Sequence, residues 1–182
     1  MSIKARLRLL HRKISPWLVP SLLLLAGTGL TYRIGRSWFG MSKETGGNVL
    51  SFHTGEFIDA NVSVIYLLAV GGTLLFLIGS GFWMMMTSRK SKNKIRASHR
   101  LIATIIILPL ALSAFTGIAI QLGKVWFNFD ESTLKLLLSL HQGSWLGKDL
   151  RPFYILILGT GLITLCITGL RIMIRKKPTP RA

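Results

Sequence analysis

The chain has 182 residues, of which 23 are Lys or Arg and 6 are Asp or Glu, giving a formal net charge of +17, and half of its residues are apolar. A soluble domain of this length disperses its apolar residues around one core; here they gather into four long blocks, which argues for a membrane protein. The basic charge raises nucleic acid as a partner, and its distribution along the chain argues against it.

In chain order, Lys4, Arg6, Arg8, Arg12 and Lys13 precede a first apolar block, Trp17 to Tyr32. Pro16 and Pro20 and the lack of a small-residue cleavage motif mark that block as a retained anchor rather than a cleaved signal peptide. A polar stretch containing "SFHTGEF", with His53 and Gly55, leads to a second block, Val62 to Met86. Six basic residues between Arg89 and Arg100 join it to a third, Leu101 to Leu122. The next segment, "ESTLKLLLSLHQGSW", reads as a short amphipathic helix at the membrane interface, with Leu134, Leu137, Leu138 and His141 on one side. Gly55 and Gly143 are placed to end the two histidine-bearing segments so that the chain can turn into the next span. Pro152 is expected as the first residue of the fourth span, whose block runs from Phe153 to Leu170. Cys166 is the single cysteine, which excludes an internal disulfide and leaves it as a packing residue.

Each block approaches the ~20 residues needed to cross a bilayer. The predicted fold is therefore an all-α integral membrane protein of four transmembrane helices, one membrane domain over residues 1–182. No acid occurs in the arms before span one, between spans two and three, or after span four, where Arg171, Arg175, Lys176, Lys177 and Arg181 lie. Glu44, Glu56, Asp59, Asp130, Glu131 and Asp149 all fall in the two opposite connections. That asymmetry places both termini in the cytoplasm, with the bilayer itself, through its anionic lipid, as the partner of the basic charge.

Residues n and n+88 match without a gap: His11-Arg12 with His99-Arg100, Thr28-Gly29 with Thr116-Gly117, Trp38-Phe39 with Trp126-Phe127, His53 with His141, Gly55 with Gly143, and Gly81 with Gly169. The chain reads as two parallel two-helix repeats, 4–88 and 92–176, related by a pseudo-twofold axis along the membrane normal. Repeat mates share a depth, so the four histidines form one pair per membrane face: His11 with His99 on the cytoplasmic side, His53 with His141 on the outer side.

Bare zinc or copper wants about four protein ligands, and neither face repeats a second pair of Cys, His or acidic residues. Porphyrin supplies four nitrogens of its own, so two axial imidazoles complete an iron site. With no C-x-x-C-H motif the expected cofactors are two non-covalent haem b groups, one at His11/His99 and one at His53/His141. At ~100° per residue, Gly29 and Gly117 return to the histidine face five turns beyond His11 and His99, at the depth of the outer pair. Gly81 and Gly169 fall at the depth of the inner pair. These glycines either clear space for a macrocycle or serve ordinary helix packing. Arg8, Arg12, Arg96 and Arg100 are candidate propionate partners, with positive-inside charge the plainer account. Trp38, Phe39, Trp126 and Phe127 form an aromatic belt, and Met84, Met85, Met86 and Met173 are packing or lipid-facing residues rather than ligands.

The stretches "LHRKISPWLVPSLLLLAGTGLTYRI", "SFHTGEF" and "ASHRLIATIIILPLALSAFTGIAI" resemble the His-Arg, His-x-Gly and Thr-Gly signatures of PepSY-associated transmembrane proteins. The resemblance covers most of the chain. It implies a bacterial inner-membrane protein with bis-histidine haems at His11, His53, His99 and His141, in some members a di-haem reductase of ferric siderophores. Typical members are about twice as long and carry PepSY domains, so the electron acceptor here is expected to be ferric iron or a partner redox protein.

The leading expectation is a di-haem b-type cytochrome carrying electrons across the membrane, a ferric reductase-like oxidoreductase or an electron-transfer subunit, with a quinol or a cytoplasmic reductase as donor. The alternative is a non-redox structural or assembly subunit of a larger membrane complex. A metal-ion permease is a third reading, opposed by the absence of Lys, Arg, Asp and Glu inside the four apolar blocks.

Overall fold

The computed structural model describes residues 2–88 and 92–174. Six α-helices account for most of it: α1 (Ile3–Trp38), α2 (Lys43–Thr54), α3 (Ala60–Thr87), α4 (Lys94–Val125), α5 (Glu131–Gln142) and α6 (Arg151–Ile174), with one 3-10 turn at Ser144–Leu146. Four of them, α1, α3, α4 and α6, are long and apolar enough to cross a membrane, the architecture of a multi-pass membrane protein. Between 17% and 28% of each apolar stretch is buried inside the protein, so large side chains such as Trp17, Ile105, Leu108 and Phe115 face outward. An apolar exterior of this extent suits lipid and not water.

The helix starts follow from local chemistry. Ser2, Ser42, Asp59, Asn93 and Asp130 each stand in the N-cap position and accept a hydrogen bond from a backbone N–H of the first turn, satisfying donors that the helix cannot. The two short helices end where the sequence places their glycines: Gly55 at φ 81° and Gly143 at φ 68°. Both positions require glycine twice over, since a Cβ on Gly143 would lie 2.5 Å from the Tyr154 ring and one on Gly55 3.2 Å from that of Tyr66.

The structure extends the expected elements in two ways. α1 begins at Ile3 and α4 at Lys94, so the basic arms before spans one and three are helical and project beyond the hydrocarbon; at 1.5 Å per residue α1 is ~54 Å long. Pro16, Pro20 and Pro109 sit inside helices that continue through them, and the phase relation between His11 and Gly29 survives. α6 begins at Arg151, one residue before Pro152. Pro152 thus occupies the second helical position, where it still forfeits only a donor that has no partner within the helix. The expected break between His141 and span four is present as Gly143 and the 3-10 turn.

The four long helices pack in a ring, α1 against α3 and α6, α4 against α3 and α6, so that α1 and α4 stand opposite each other. α2 lies on α1 and α5 on α4. The interior is filled by Leu18, Leu22, Leu74, Leu77, Ile106, Leu110, Leu158, Leu162 and Cys166. Close approach of the helices needs Gly71 against Ile118 and Gly159 against Leu30, where an added Cβ would fall 2.8 Å and 2.6 Å from the neighbouring side chain. By contrast, a Cβ on Gly27 meets nothing within 4 Å. Gly159→Ala is expected to cost about 1–3 kcal/mol through overpacking, whereas Gly27→Ala is expected to be neutral or to gain about 0.5–1 kcal/mol from reduced chain entropy. Thermal unfolding of the two variants in the same detergent should move in opposite directions relative to the parent chain.

Candidate functional site: two histidine pairs in the bundle interior

Two cavities, both open on the flank of the bundle, have the histidines in their walls: one of about 170 Å³ at His11 and His99, and one of about 310 Å³ at His53 and His141. The second reaches the size of an ordinary ligand site. Their linings share four residues, Leu22, Leu74, Leu110 and Leu162, all buried. This leucine layer divides the two cavities and carries no polar atom on its side chains.

Each histidine is held by a hydroxyl on another helix. His11 Nδ1 lies 2.7 Å from Ser80 Oγ, His99 Nδ1 2.8 Å from Thr168 Oγ1, His53 Nδ1 3.1 Å from Thr28 Oγ1 and His141 Nδ1 3.3 Å from Thr116 Oγ1. Ser80, Thr168, Thr28 and Thr116 each also have a carbonyl of the preceding turn within hydrogen-bond reach, Leu77, Thr164, Leu24 and Leu112 respectively. A hydroxyl that donates to that carbonyl has only a lone pair left for the imidazole, and Nδ1–H is then the donor. For His141 the direction is defined, since Nδ1 lies 2.9 Å from the Ser113 carbonyl oxygen, which only accepts. An imidazole with its proton on Nδ1 presents Nε2 as a bare lone pair, and among the described residues no Nε2 takes part in a hydrogen bond. This is the arrangement by which proteins orient a metal-ligating imidazole.

His53 and His141 lie outside the membrane-spanning helices. Burial, reinforced for His53 by the proximity of His141, lowers its pKa from 6.5 to about 4, and burial likewise lowers that of His141. Both are neutral at pH 7 and keep the lone pair available. Their ring centroids are 6.3 Å apart with planes inclined at 69°. One metal ion bonded at about 2 Å to a nitrogen of each of two imidazoles sets the ring centres about 6 Å apart, so the pair is spaced for a shared ion. Among the described residues no group of three or more His, Cys, Asp and Glu converges. A metal held here takes its remaining ligands from another molecule, as iron does in porphyrin.

The four glycines named from the helical phase all lie at histidines. A Cβ on Gly29 would fall 3.2 Å from His53 Cε1 and one on Gly117 3.1 Å from His141 Cε1; Gly81 and Gly169 face His11 and His99 at 3.6 Å. Their role is thus more specific than general clearance, because each makes room for an imidazole and so sets its depth. Ser15, Ala103, Ala26 and Ala114 line the cavities as small residues. The four arginines separate. Arg12 lines the His11/His99 cavity, while Arg100 turns back to the carbonyls of Met85 and Ser88 at 2.8 Å and 3.1 Å. Arg8 and Arg96 are exposed and outside the cavity wall. Met85 and Met173 line that same cavity, and Met173 receives a Ser15 hydroxyl at 3.7 Å. Trp38, Phe39, Trp126 and Phe127 are exposed, as a belt requires. Arg89, Lys90 and the basic tail from Arg175 onward lie outside the described residues.

Sequence reasoning did not find Ser80 and Thr168, because the 88-residue match was scored on identity and this pair conserves only the hydroxyl. It also did not find Gln121, which is buried and donates to Glu56 Oε1 at 3.0 Å and to Ser63 Oγ at 2.6 Å, nor Arg33, Lys124 and Gln142 in the wall of the His53/His141 cavity. Comparison with protein-family models, curated proteins and solved structures finds no match.

The hydroxyl partners give a test that leaves the ligands intact. Removing an orienting partner of this kind weakens metal affinity about 10- to 100-fold. Titrating purified haem-free protein with haem should show Thr28→Val or Thr116→Val weakening one of two binding events by that factor, with Ser80→Ala or Thr168→Val weakening the other.

Proposed function

We propose that the chain is a di-haem b-type membrane cytochrome that carries electrons from one membrane face to the other. The observation that carries this reading is the set of four imidazoles, each with Nδ1 at a hydroxyl of another helix and no hydrogen bond at Nε2, two in each of two mainly apolar cavities. In this reading His11 and His99 ligate the inner haem and His53 and His141 the outer one. The two halves are parallel repeats about an axis along the membrane normal, both termini are cytoplasmic, and the membrane is a bacterial inner membrane, as the basic-charge asymmetry and the resemblance to PepSY-associated transmembrane proteins support. The donor is a quinol or a cytoplasmic reductase, and the acceptor is ferric iron, a ferric siderophore or a partner redox protein.

Haem, when bound, supplies a one-electron iron couple at each level. The chain's own residues do the rest. Ser80, Thr168, Thr28 and Thr116 fix tautomer and ring orientation, so the axial geometry need not rearrange when charge changes. The leucine layer of Leu22, Leu74, Leu110 and Leu162 offers neither a proton acceptor nor a hydrogen-bonded path, and it suits a protein that passes electrons while holding back protons and ions. Arg12 stands where it can neutralise a propionate of the inner haem.

Two b-type haems per chain by pyridine haemochrome, with a reduced-minus-oxidised spectrum of low-spin form, are the expected result for protein from haem-replete cells. His141→Ala and His53→Ala should each leave one haem, as should His11→Ala and His99→Ala, and a variant from each pair combined should leave none. A chain that carries no haem and takes up none would overturn the proposal and favour a structural subunit of a larger complex.

A further inference from the structure

The hydroxyl and imidazole partners recur at positions 88 residues apart, but the polar residues at the far end of the His53/His141 cavity do not. Position 33 is arginine and position 121 glutamine; position 151 is arginine and position 63 serine. On the α3/α4 side this gives a closed network, Gln121 to Ser63 and Glu56. On the α1/α6 side it gives an excess of cation. Arg33 lines the cavity and donates from Nη2 to Gln142 Oε1 at 2.5 Å. Lys124, exposed and on α4, lines the same cavity from the opposite wall, and its repeat mate is also basic, Arg36. Arg151 lies close enough for its charge and that of Arg33 to repel, and its Nε is buried without a hydrogen-bond partner. Among the described residues the single ion pair is Lys135 with Glu131, on α5. No acid among the described residues is within ion-pair distance of Arg33, Lys124 or Arg151.

Arg33 and Arg151 are half-buried with no acid within ion-pair distance among the described residues, a placement that costs free energy unless an anion completes it. The cavity is also polarised along its length. From the leucine layer to Gly29 and Gly117 its wall is apolar apart from Ser113, and Tyr32, Arg33, Gln121, Lys124 and Gln142 cluster beyond the histidines. Arg33 is five residues past Thr28 on α1, ~7.5 Å further along the axis. An occupant with an apolar body and an anionic edge fits this division.

Building on the di-haem reading, we infer that Arg33, supported by Lys124 and Arg151, is the seat of the carboxylate edge of the outer macrocycle, and that Arg33 thereby sets the potential of the outer haem. Gln142 holds the guanidinium in the cavity from the residue next to the ligand His141. A guanidinium engages a carboxylate through paired N–H groups, and a fixed cation beside haem favours the reduced iron, which carries one positive charge less. The sign is therefore defined: loss of the cation lowers the potential.

The test uses His99→Ala protein, in which the outer haem is the only one, and follows midpoint potential and haem affinity. Arg33→Met is expected to lower the equilibrium constant for reduction about tenfold, or about 59 mV for a one-electron couple. Arg33→Met with Lys124→Met should lower it further, and Arg33→Lys should retain most of the parent value. Haem dimethyl ester, whose carboxylates are blocked, should bind the unaltered site about tenfold more weakly, an arm that requires no change to the chain, and its affinity should not respond to Arg33→Met. Unchanged affinity and potential in both methionine variants would overturn the inference. A loss of affinity on Arg33→Met of equal size with the ester would also overturn it, assigning the cations to a dissolved anion or a lipid headgroup. Parent protein that binds no haem at all would instead refute the di-haem reading on which the inference stands.

Discussion

Everything at the two sites depends on where one proton sits. A neutral imidazole in an apolar cavity can carry its hydrogen on either nitrogen, and only the Nδ1–H tautomer leaves Nε2 able to bind a metal. The hydroxyls of Ser80, Thr168, Thr28 and Thr116 each have a carbonyl of their own helix within reach. Side-chain hydroxyls that bond back to the preceding turn usually contribute little to a helix. Here a hydroxyl spent on that back-bond can only accept from the imidazole, which puts the proton on Nδ1, as the Ser113 carbonyl does directly for His141. Burial then keeps each outer ring neutral, since a charged imidazolium would have to be desolvated.

The same constraint accounts for the positions of the glycines and the ring of helices. A hydroxyl can hold an imidazole only if the backbones approach within reach, and the ring's Cε1 edge then comes against the neighbouring helix at Gly29, Gly117, Gly81 and Gly169. Placing α1 opposite α4 brings His11 and His99 to one cavity from opposite walls. The outer histidines reach theirs from α2 and α5, short helices ended by left-handed glycines. A span running straight on from His141 could not supply an imidazole at that depth and still enter the bilayer beside α1.

Much of this was legible in the sequence, for identifiable reasons. Apolar block length gave the four spans, the 88-residue identities gave the pairing of histidines, and helical phase alone placed Gly29 near His53, through a stretch containing Pro16 and Pro20. Contacts that depend on side-chain chemistry rather than identity stayed hidden. Ser80 and Thr168 differ by a methyl group and so escape an identity match, yet they perform the same act. Arg100 matched Arg12 and was expected to act with it, but its guanidinium found the carbonyls of Met85 and Ser88 at the end of α3. A sequence repeat specifies what is available at a position, and the neighbouring helix end decides whether it is used there or elsewhere.

Departures from the repeat are as informative as its agreements. Where two halves agree, at the histidines, hydroxyls, glycines and the leucine layer, the shared requirement is symmetric, as two equivalent rings facing one cavity from opposite sides require. Where they differ, at Arg33 against Gln121 and Arg151 against Ser63, a symmetric requirement has ended. A cation at both positions 33 and 121 would place further uncompensated charge beside the same cavity. Replacing one by glutamine lets Ser63 and Glu56 satisfy it completely, and Arg33 and Arg151 remain together on the α1/α6 side. That end of the bundle is thereby given a direction that its paired histidines lack, and a directional charge at a protein surface favours the approach of anionic groups from one side.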